Sequence, residues 1–301
     1  MRVITQKTVG DASVLEVAEV ATPVAGPGQV LVKVGAAGVN PVDTYIRSGG
    51  FPALGEPPFT LGWDVAGTVE QDAEGFRAGD EVYGLLTFPG TGGGYAEYAV
   101  LNAADVVRRP SWLTVEQAGA TPMVALTAWQ ALVGRGGVSA GQRVLVHAAA
   151  GGVGHVAVQI AKARGAYVIG TASAGKHDFL RSLGVDEVID YRTQDFTEIE
   201  PVDVVLDTIG GEYAERSARV LKQGGVLVSI IPGNPGFDVD RASALGIRFE
   251  LFMGVAASGA DLAALPQLKV QIEHTVPLAE AAKAHELVSS GRTTGKVVLV
   301  P

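Results

Sequence analysis

The chain of 301 residues contains no cysteine. That excludes disulfides, thiolate metal sites and thiol nucleophiles. Positive charge is scarce: 23 basic residues face 32 acidic ones, a formal net charge of −9. Such a balance argues against nucleic acid or an anionic membrane as the main partner. It also means that an anionic ligand needs basic residues placed locally. Histidine occurs five times, at 147, 155, 177, 274 and 285. These show no ligand spacing and read as surface or structural residues. No basic and then apolar leader is seen; Met1-Arg-Val-Ile-Thr reads as a short strand. The longest weakly polar run, 144–161, is broken by glycines, His147, His155 and Gln159, so it is not read as a membrane span. A cytoplasmic location is the default expectation. With 47% hydrophobic residues, the chain is globular and long enough for two domains.

One stretch organises the rest. Val144-Leu145-Val146 is an apolar run that fits a buried parallel strand. A turn of small residues follows, Ala148-Ala149-Ala150-Gly151-Gly152-Val153-Gly154. Apolar residues then recur at helical spacing, at Val153, Val156, Ala157, Ile160 and Ala161. Strand, glycine turn and helix in this order make a phosphate cradle, in which the backbone approaches a pyrophosphate and the helix dipole faces it. The strict G-x-G-x-x-G is not met, because Ala149 takes the first position. A plain strand-to-helix turn is the competing reading. The continuation favours a dinucleotide site, since 167–170 reads as a second strand at the right distance.

These residues also resemble a known family. Gly141-Gln142, Leu145, the Ala-Ala-Gly-Gly-x-Gly core, Gln159 and Lys162 are similar to the signature of the zinc-free quinone oxidoreductases, members of the medium-chain dehydrogenase/reductase superfamily. Gly38-Val-Asn-Pro-Val-Asp-Thr-Tyr-Ile-Arg-Ser-Gly49 resembles the family's first active-site segment. Gly93-Gly-Tyr-Ala-Glu-Tyr98, Leu126-Thr-Ala-Trp-Gln130, Val204-Val-Leu-Asp-Thr-Ile-Gly-Gly211 and Gly295-Lys-Val-Val-Leu299 follow in the expected order. The resemblance spans essentially the whole chain.

The fold class is α/β. A first domain is expected over residues 1–120; the stretch from 1 to about 115 is rich in Gly and Pro, with short alternating runs at 30–34, 65–69 and 95–100, which suggests an irregular antiparallel barrel. The resemblance names it a GroES-like β-barrel catalytic domain, completed by 266–301 through a last strand at 296–300. Thr114-x-x-Gln117 offers a capping box, and a helix is expected around 126–132. Residues 121–265 are expected to form the dinucleotide-binding (Rossmann) domain, a doubly wound parallel sheet. Its strands are expected at 144–146, 167–170, 187–189, 202–207 and 226–231, and its helices at 177–183 and 213–221. Residues 233–266 give no clear pattern; Phe237, Phe249 and Phe252 are expected to shape a pocket. An amphipathic helix is expected over 278–289.

Zinc is the first chemical question. Where zinc-dependent relatives place ligands, the resemblance puts Asn40, Trp63 and Met123, and Asp64 alone cannot hold zinc. No metal is expected. A hydroxyl that relays protons in those relatives is replaced by Val42. The cofactor question follows. An NAD enzyme wants an acid at the end of the second strand. Ala172 stands nearest that place, and Ser173 and Lys176 can instead donate to a 2′-phosphate. By resemblance, Tyr191 closes over that phosphate. NADPH is therefore expected.

The turn residues Ala150, Gly151, Gly152, Val153 and Gly154 are the expected pyrophosphate cradle. By resemblance, Asn40 and Thr127 contact the cofactor, Thr127 at its nicotinamide end. Ile209 and Gly210, within Asp207-Thr-Ile-Gly-Gly211, line the dinucleotide channel, and Ile231 ends another wall. Lys296 reaches a phosphate or a carboxylate, an exposed lysine being the commoner case. Asn40-Pro41 reads as a turn, with Asp43 bonded to its backbone. Tyr45 is the candidate catalytic residue, a donor to a carbonyl oxygen, with a wall aromatic as the equal alternative. Arg47 reads as a surface or phosphate-side charge.

The resemblance implies an NADPH-dependent reductase of quinones or α,β-unsaturated carbonyl compounds, acting by metal-free hydride transfer. Its partners are a small-molecule quinone or enone and, by resemblance, a second copy in a homodimer. Two alternatives stay open: a biosynthetic enoyl reductase on a polyketide-like intermediate, and a non-catalytic NADPH-binding structural or regulatory protein.

Overall fold

The computed structural model describes residues 1–51, 54–90, 92–231, 233 and 236–301. The chain divides into two compact units, one formed by Met1–Leu126, Ala256–Ala264 and Val270–Pro301, the other by Thr127–Val255 and Leu265–Lys269.

The first unit begins with strands β1 (Arg2–Gln6), β2 (Glu16–Glu19) and β3 (Gln29–Val39). Helix α1 (Pro41–Arg47) follows, then β4 (Phe59–Thr60), β5 (Asp64–Val69), β6 (Glu81–Leu85), β7 (Tyr98–Asn102), β8 (Val106–Arg108) and helix α2 (Val115–Ala120). Asn40-Pro41 does more than turn the chain. Proline at the first helical position is preset for a helix, and α1 starts there. The Asp43 carboxylate accepts the Asn40 backbone N–H at 2.7 Å, which satisfies a donor at the helix start. The expected capping box of α2 is present: Gln117 N–H donates to Thr114 Oγ1 at 3.2 Å, and Thr114 N–H to Gln117 Oε1 at 3.0 Å. The strand expected from Tyr95 starts only at Tyr98. The Tyr95 backbone is taken instead by Leu61 O and Ile4 N–H.

In the second unit, helix α3 (Pro122–Trp129), which carries the chain across, runs into a π-helical stretch at Gln130–Arg135. Then come β9 (Arg143–Val146), α4 (Gly152–Ala163), β10 (Tyr167–Ala172), α5 (His177–Ser182), β11 (Glu187–Asp190), β12 (Val202–Asp207), α6 (Glu212–Ala218), β13 (Leu221–Ser229), α7 (Val239–Ala244) and β14 (Arg248–Leu251). Among the described residues these strands form one sheet in the order β11-β10-β9-β12-β13-β14, and every pair is parallel. Strand order reverses beside β9, so the ends of β9 and β12 flank the switch point where such sheets take ligands. Strand β13 begins at Leu221, five residues before the expected start. Leu221 pairs with Val202, and α6 stops at Ala218 to allow it.

Two signature residues are fixed by packing in this unit. Gln159 on α4 clamps the 265–269 segment by two hydrogen bonds to the Lys269 backbone, donating to its O at 3.1 Å and accepting its N–H at 2.7 Å. Lys162, also on α4, pairs with Asp186 at 2.7 Å. The unit's core brings together Leu145, Ile169, Val205, Leu227 and Phe237. Phe249 packs against this core, its ring 5.4 Å from that of Phe237. The pocket role expected of Phe237 and Phe249 is therefore corrected: their apolar area is buried in the sheet's own core. Asn234 and Pro235 of the same region lie outside the described residues.

The chain then returns to the first unit through α8 (Gly259–Ala264), β15 (Ile272–Pro277), α9 (Ala281–Ser289) and β16 (Lys296–Val300). Strand β16 pairs antiparallel with β3, Val297 opposite Val39. Pairings run β15-β16-β3-β5-β6-β8, with β7 also on β3, and a smaller sheet is ordered β2-β1-β4. Among the described residues no helix is long and apolar enough to cross a membrane.

Candidate functional site

The second unit supplies the cradle. Strand β9 ends at Val146, and Ala148 then adopts a left-handed φ of 44°, alone among the described non-glycine residues. That conformation is disfavoured for a residue with a Cβ. It is held by neighbours: Ala148 N–H donates to Thr171 Oγ1 at 3.2 Å, and Ala149 N–H to Thr171 O at 2.9 Å. Gly151 caps α4 in an extended conformation, and its N–H returns to Ala148 O at 2.9 Å. A Cβ on Gly154 would sit 2.4 Å from Ala148 O and 2.7 Å from Ala149 Cα. The first turn of α4 is thus pressed onto the loop, and only glycine fits at 154. Ala150 is buried, while Gly151, Gly152 and Val153 are half-buried at the helix start.

His147 braces this turn from behind. It is fully buried, 2.8 Å from Ser217 Oγ and 3.3 Å from Thr171 Oγ1, with the rings of Phe196 and Tyr213 edge-on. Burial, with the Arg216 charge adding to it, pushes its imidazole down to about 3, so it is neutral and structural. Its carbonyl accepts Thr208 Oγ1–H at 2.8 Å, tying β9 to the end of β12. There Asp207 is fully buried and accepts from Ile209 N–H and Gly210 N–H at 2.9 Å each, and from Ser229 Oγ at 3.0 Å. Ile209 is 41% exposed, and Gly210 turns at φ 76° against the side chain of Ile231. Asp207 therefore holds open a loop whose apolar tip faces solvent. Thr127 on α3 is buried. Pro232, beside Ile231, lies outside the described residues.

At the ends of β10 and β11, Ala172 pairs in register with Asp190. Asp190 turns back on its own loop and accepts Arg192 N–H at 3.1 Å. Ser173 caps a short 3-10 turn that contains Lys176, and both are half-buried. Tyr191 is exposed, with the Arg192 guanidinium 5.7 Å from its ring centre. Arg192 was not singled out in the sequence; only its place next to Tyr191 pointed to it.

The first unit carries a second constellation. Asp64, at the start of β5, is fully buried. Its Oδ1 accepts Met123 N–H at 2.5 Å and its Oδ2 accepts Asn40 Nδ2 at 2.8 Å. A Cβ on Gly38 would lie 2.4 Å from Asp64 Oδ2, so that glycine makes room for the carboxylate. Lys296, expected at a phosphate or a carboxylate, is 3% exposed and 3.6 Å from Asp64 Oδ2. Its ammonium donates to Val39 O at 3.0 Å and to Asn40 Oδ1. Burial pushes the Asp64 carboxyl up and the Lys296 ammonium down, and the attraction between them opposes both shifts. Trp63 turns away, edge-on to Phe88 at 5.2 Å. Among the described residues no group of three or more His, Asp or Glu side chains could hold a metal ion.

Helix α1 is anchored by a chain of donors. The surface position expected for Arg47 is corrected: it is 8% exposed, donates to Gly10 O at 3.2 Å, and its Nη1 lies 3.4 Å from His285 Nδ1. Arginine only donates, so His285 Nδ1 accepts and its Nε2 carries the hydrogen. That nitrogen is 3.3 Å from the Tyr95 oxygen, and Tyr95 donates to Asp43 Oδ2 at 2.7 Å. Desolvation pushes the Asp43 carboxyl up to about 7, and its Oδ1 is buried with no partner. On the outside of the same helix Tyr45 is 48% exposed. Its ring lies over Gly50, where a Cβ would meet it at 2.2 Å.

Similarity to known proteins accords with this layout. The alcohol dehydrogenase GroES-like domain family matches residues 26–111, and the zinc-binding dehydrogenase family matches 183–299. Human quinone oxidoreductase is 33% identical over 326 residues, covering 100% of this chain and 98% of its own. The quinone oxidoreductase structure from Coxiella burnetii superposes with a TM-score of 0.92 at 34% identity, covering 100% of this chain and 99% of that one. Escherichia coli quinone oxidoreductase complexed with NADPH gives a TM-score of 0.87 at 29% identity, with both chains covered completely. Agreement over the whole of both chains, in sequence and in fold, decides the assignment: the chain belongs to the quinone oxidoreductase family of the medium-chain dehydrogenases/reductases and is an oxidoreductase.

Proposed function

We propose that the chain is an NADPH-dependent reductase of quinones or other α,β-unsaturated carbonyl compounds. The observation that carries this reading lies at the ends of β10 and β11. No carboxylate stands at Ala172, while Ser173, Lys176, Tyr191 and Arg192 follow directly on the two paired strands. That set suits a 2′-phosphate, which needs donors and cations, and not a bare ribose diol, which needs an acid. The glycine turn fits the pyrophosphate, because the close seat of Gly154 brings the loop against the helix start, where the N–H groups of Gly152 and Val153 lie.

In this reading Ala150, Gly151, Gly152, Val153 and Gly154 hold the pyrophosphate. Ile209, Gly210 and Ile231 line the dinucleotide, Thr127 serves its nicotinamide end, and Asn40 is a further cofactor contact. When bound, NADPH supplies the hydride. A conjugated acceptor spreads the incoming charge onto its own oxygen, so the protein's task is alignment and hydrogen bonding. Tyr45 donates to that oxygen and then supplies the proton, which solvent replaces at its exposed phenol. The homodimer belongs to the same reading, and light scattering tests it.

The test is nicotinamide absorbance with purified protein, NADPH and a panel of p-benzoquinone, a simple enone and an enoyl thioester. Oxidation with the first two supports the proposal. Turnover with the enoyl thioester alone assigns a biosynthetic enoyl reductase. Tight NADPH binding with no turnover assigns a non-catalytic protein.

A further inference from the structure

Among the described residues Lys296 is the one buried lysine, and it comes from a strand remote in sequence from its partners. Three oxygens face its ammonium: Val39 O at the end of β3, Asn40 Oδ1 at the start of α1, and Asp64 Oδ2 on β5. Asp64 also receives Met123 N–H from the start of α3. One ammonium–carboxylate pair thus gathers the ends of β3, α1, β5, α3 and β16.

The same pair decides which way Asn40 points. Its oxygen meets a cation and its Nδ2 meets a carboxylate. Turning the amide over would set NH₂ against NH₃⁺ and oxygen against carboxylate, two repulsive contacts in a buried place. One orientation survives, with Oδ1 toward the ammonium and Nδ2 toward the carboxylate.

We infer that Lys296 is a built-in cation, seated in an oxygen-lined site of the first unit, and that it acts as a positioning residue by fixing the Asn40 carboxamide. The functional half of this inference rests on the proposed role of Asn40 toward the cofactor; the cation half does not. A further consequence is that the place is already filled by charge, so a metal ion at Asp64 would have to displace the protein's own ammonium.

Two variants test it. Lys296→Ala removes the cation and leaves a cavity of its shape beside a buried carboxylate. Its thermal midpoint falls, and millimolar ethylammonium raises it again, while the same concentration of the bulkier tetramethylammonium does not. Wild type shows no response to either. A Lys296→Ala protein as stable as wild type, or one indifferent to ethylammonium, overturns the built-in cation. Lys296→Met combined with Asp64→Asn removes both charges and keeps the volume. Its midpoint returns toward wild type, but with the amide no longer fixed its kcat falls at least tenfold while the KM for the quinone stays within about twofold. Recovery of both midpoint and kcat would overturn the positioning role and leave Lys296 as charge balance only. If wild type itself oxidises no NADPH, the proposed function fails, while the amine response still decides the cation.

Discussion

Asp43 should give the first unit's stability a pH dependence opposite to that of an ordinary surface carboxylate. Its carboxyl is pushed up to about 7 chiefly by desolvation; the Tyr95 O–H, the Asn40 N–H and Lys296 oppose the rise, and Asp64 adds to it. In the unfolded chain it titrates near 3.8. The folded value is the higher one, so the folded state holds this proton more tightly. The stabilisation is complete below about pH 4 and is lost as pH rises through about 7. The gap is about three units, and at about 1.4 kcal/mol per unit the loss is about 4 kcal/mol. Asp43→Asn keeps the shape and offers an acceptor to Tyr95, but it cannot ionise. Urea unfolding of both proteins at a series of pH values gives the difference in unfolding free energy, in which groups that do not interact with Asp43 cancel. Between about pH 5 and pH 8 wild type should lose ground to Asp43→Asn by a few kcal/mol. A flat difference, or one that moves in favour of wild type as pH rises, would refute the reasoning.

Three more outcomes are expected. Lys176→Ala should weaken NADPH binding about tenfold, the range for one charge-assisted bond, and leave NADH binding nearly unchanged in a fluorescence titration; equal weakening of both would move Lys176 away from the 2′-phosphate. Tyr45→Phe should lower kcat by roughly 10²-fold at unchanged NADPH affinity, and Gly50→Ala should do part of the same damage by pushing the ring aside, since its Cβ would meet the ring at 2.2 Å. Unaltered kcat in both, with hydride transfer limiting, would make Tyr45 a wall residue. Gly154→Ala should abolish dinucleotide binding in calorimetry while circular dichroism stays that of the folded protein, because its Cβ would strike Ala148 O; normal binding would mean that the cradle lies elsewhere.

How much was legible in the sequence depended on range. The β9–turn–α4 stretch reads clearly because strand, glycines and helix are contiguous, and each element leaves its own period. The parallel strands follow for the same reason. What sequence leaves dark is pairing at distance. Nothing about Lys296 in its local run shows that it belongs beside Asp64, since strand register alone brings them together. Arg47 looks like a surface charge until His285 and Gly10 arrive from other segments to bury it. Phe237 and Phe249 lie in a stretch without period, so their shared place in the core was not readable. Trp63 and Met123 could be aligned but not oriented; only the structure shows that Met123 acts through its backbone N–H.

Pairing of β16 with β3 has a kinetic side. The first unit is discontinuous in sequence: everything from 127 to 255 is made before β16 exists, and that span holds all six strands of the parallel sheet. On the ribosome the second unit can therefore complete its sheet while the first still lacks the partner of β3. Through that interval Asp64 and Asn40 have no ammonium to close on, and β3 shows an open edge over Ala37, Gly38 and Val39. Such an edge invites pairing with other chains. Ordered this way, the arrival of the last strand closes that edge, and its lysine brings the charge that Asp64 lacks until then.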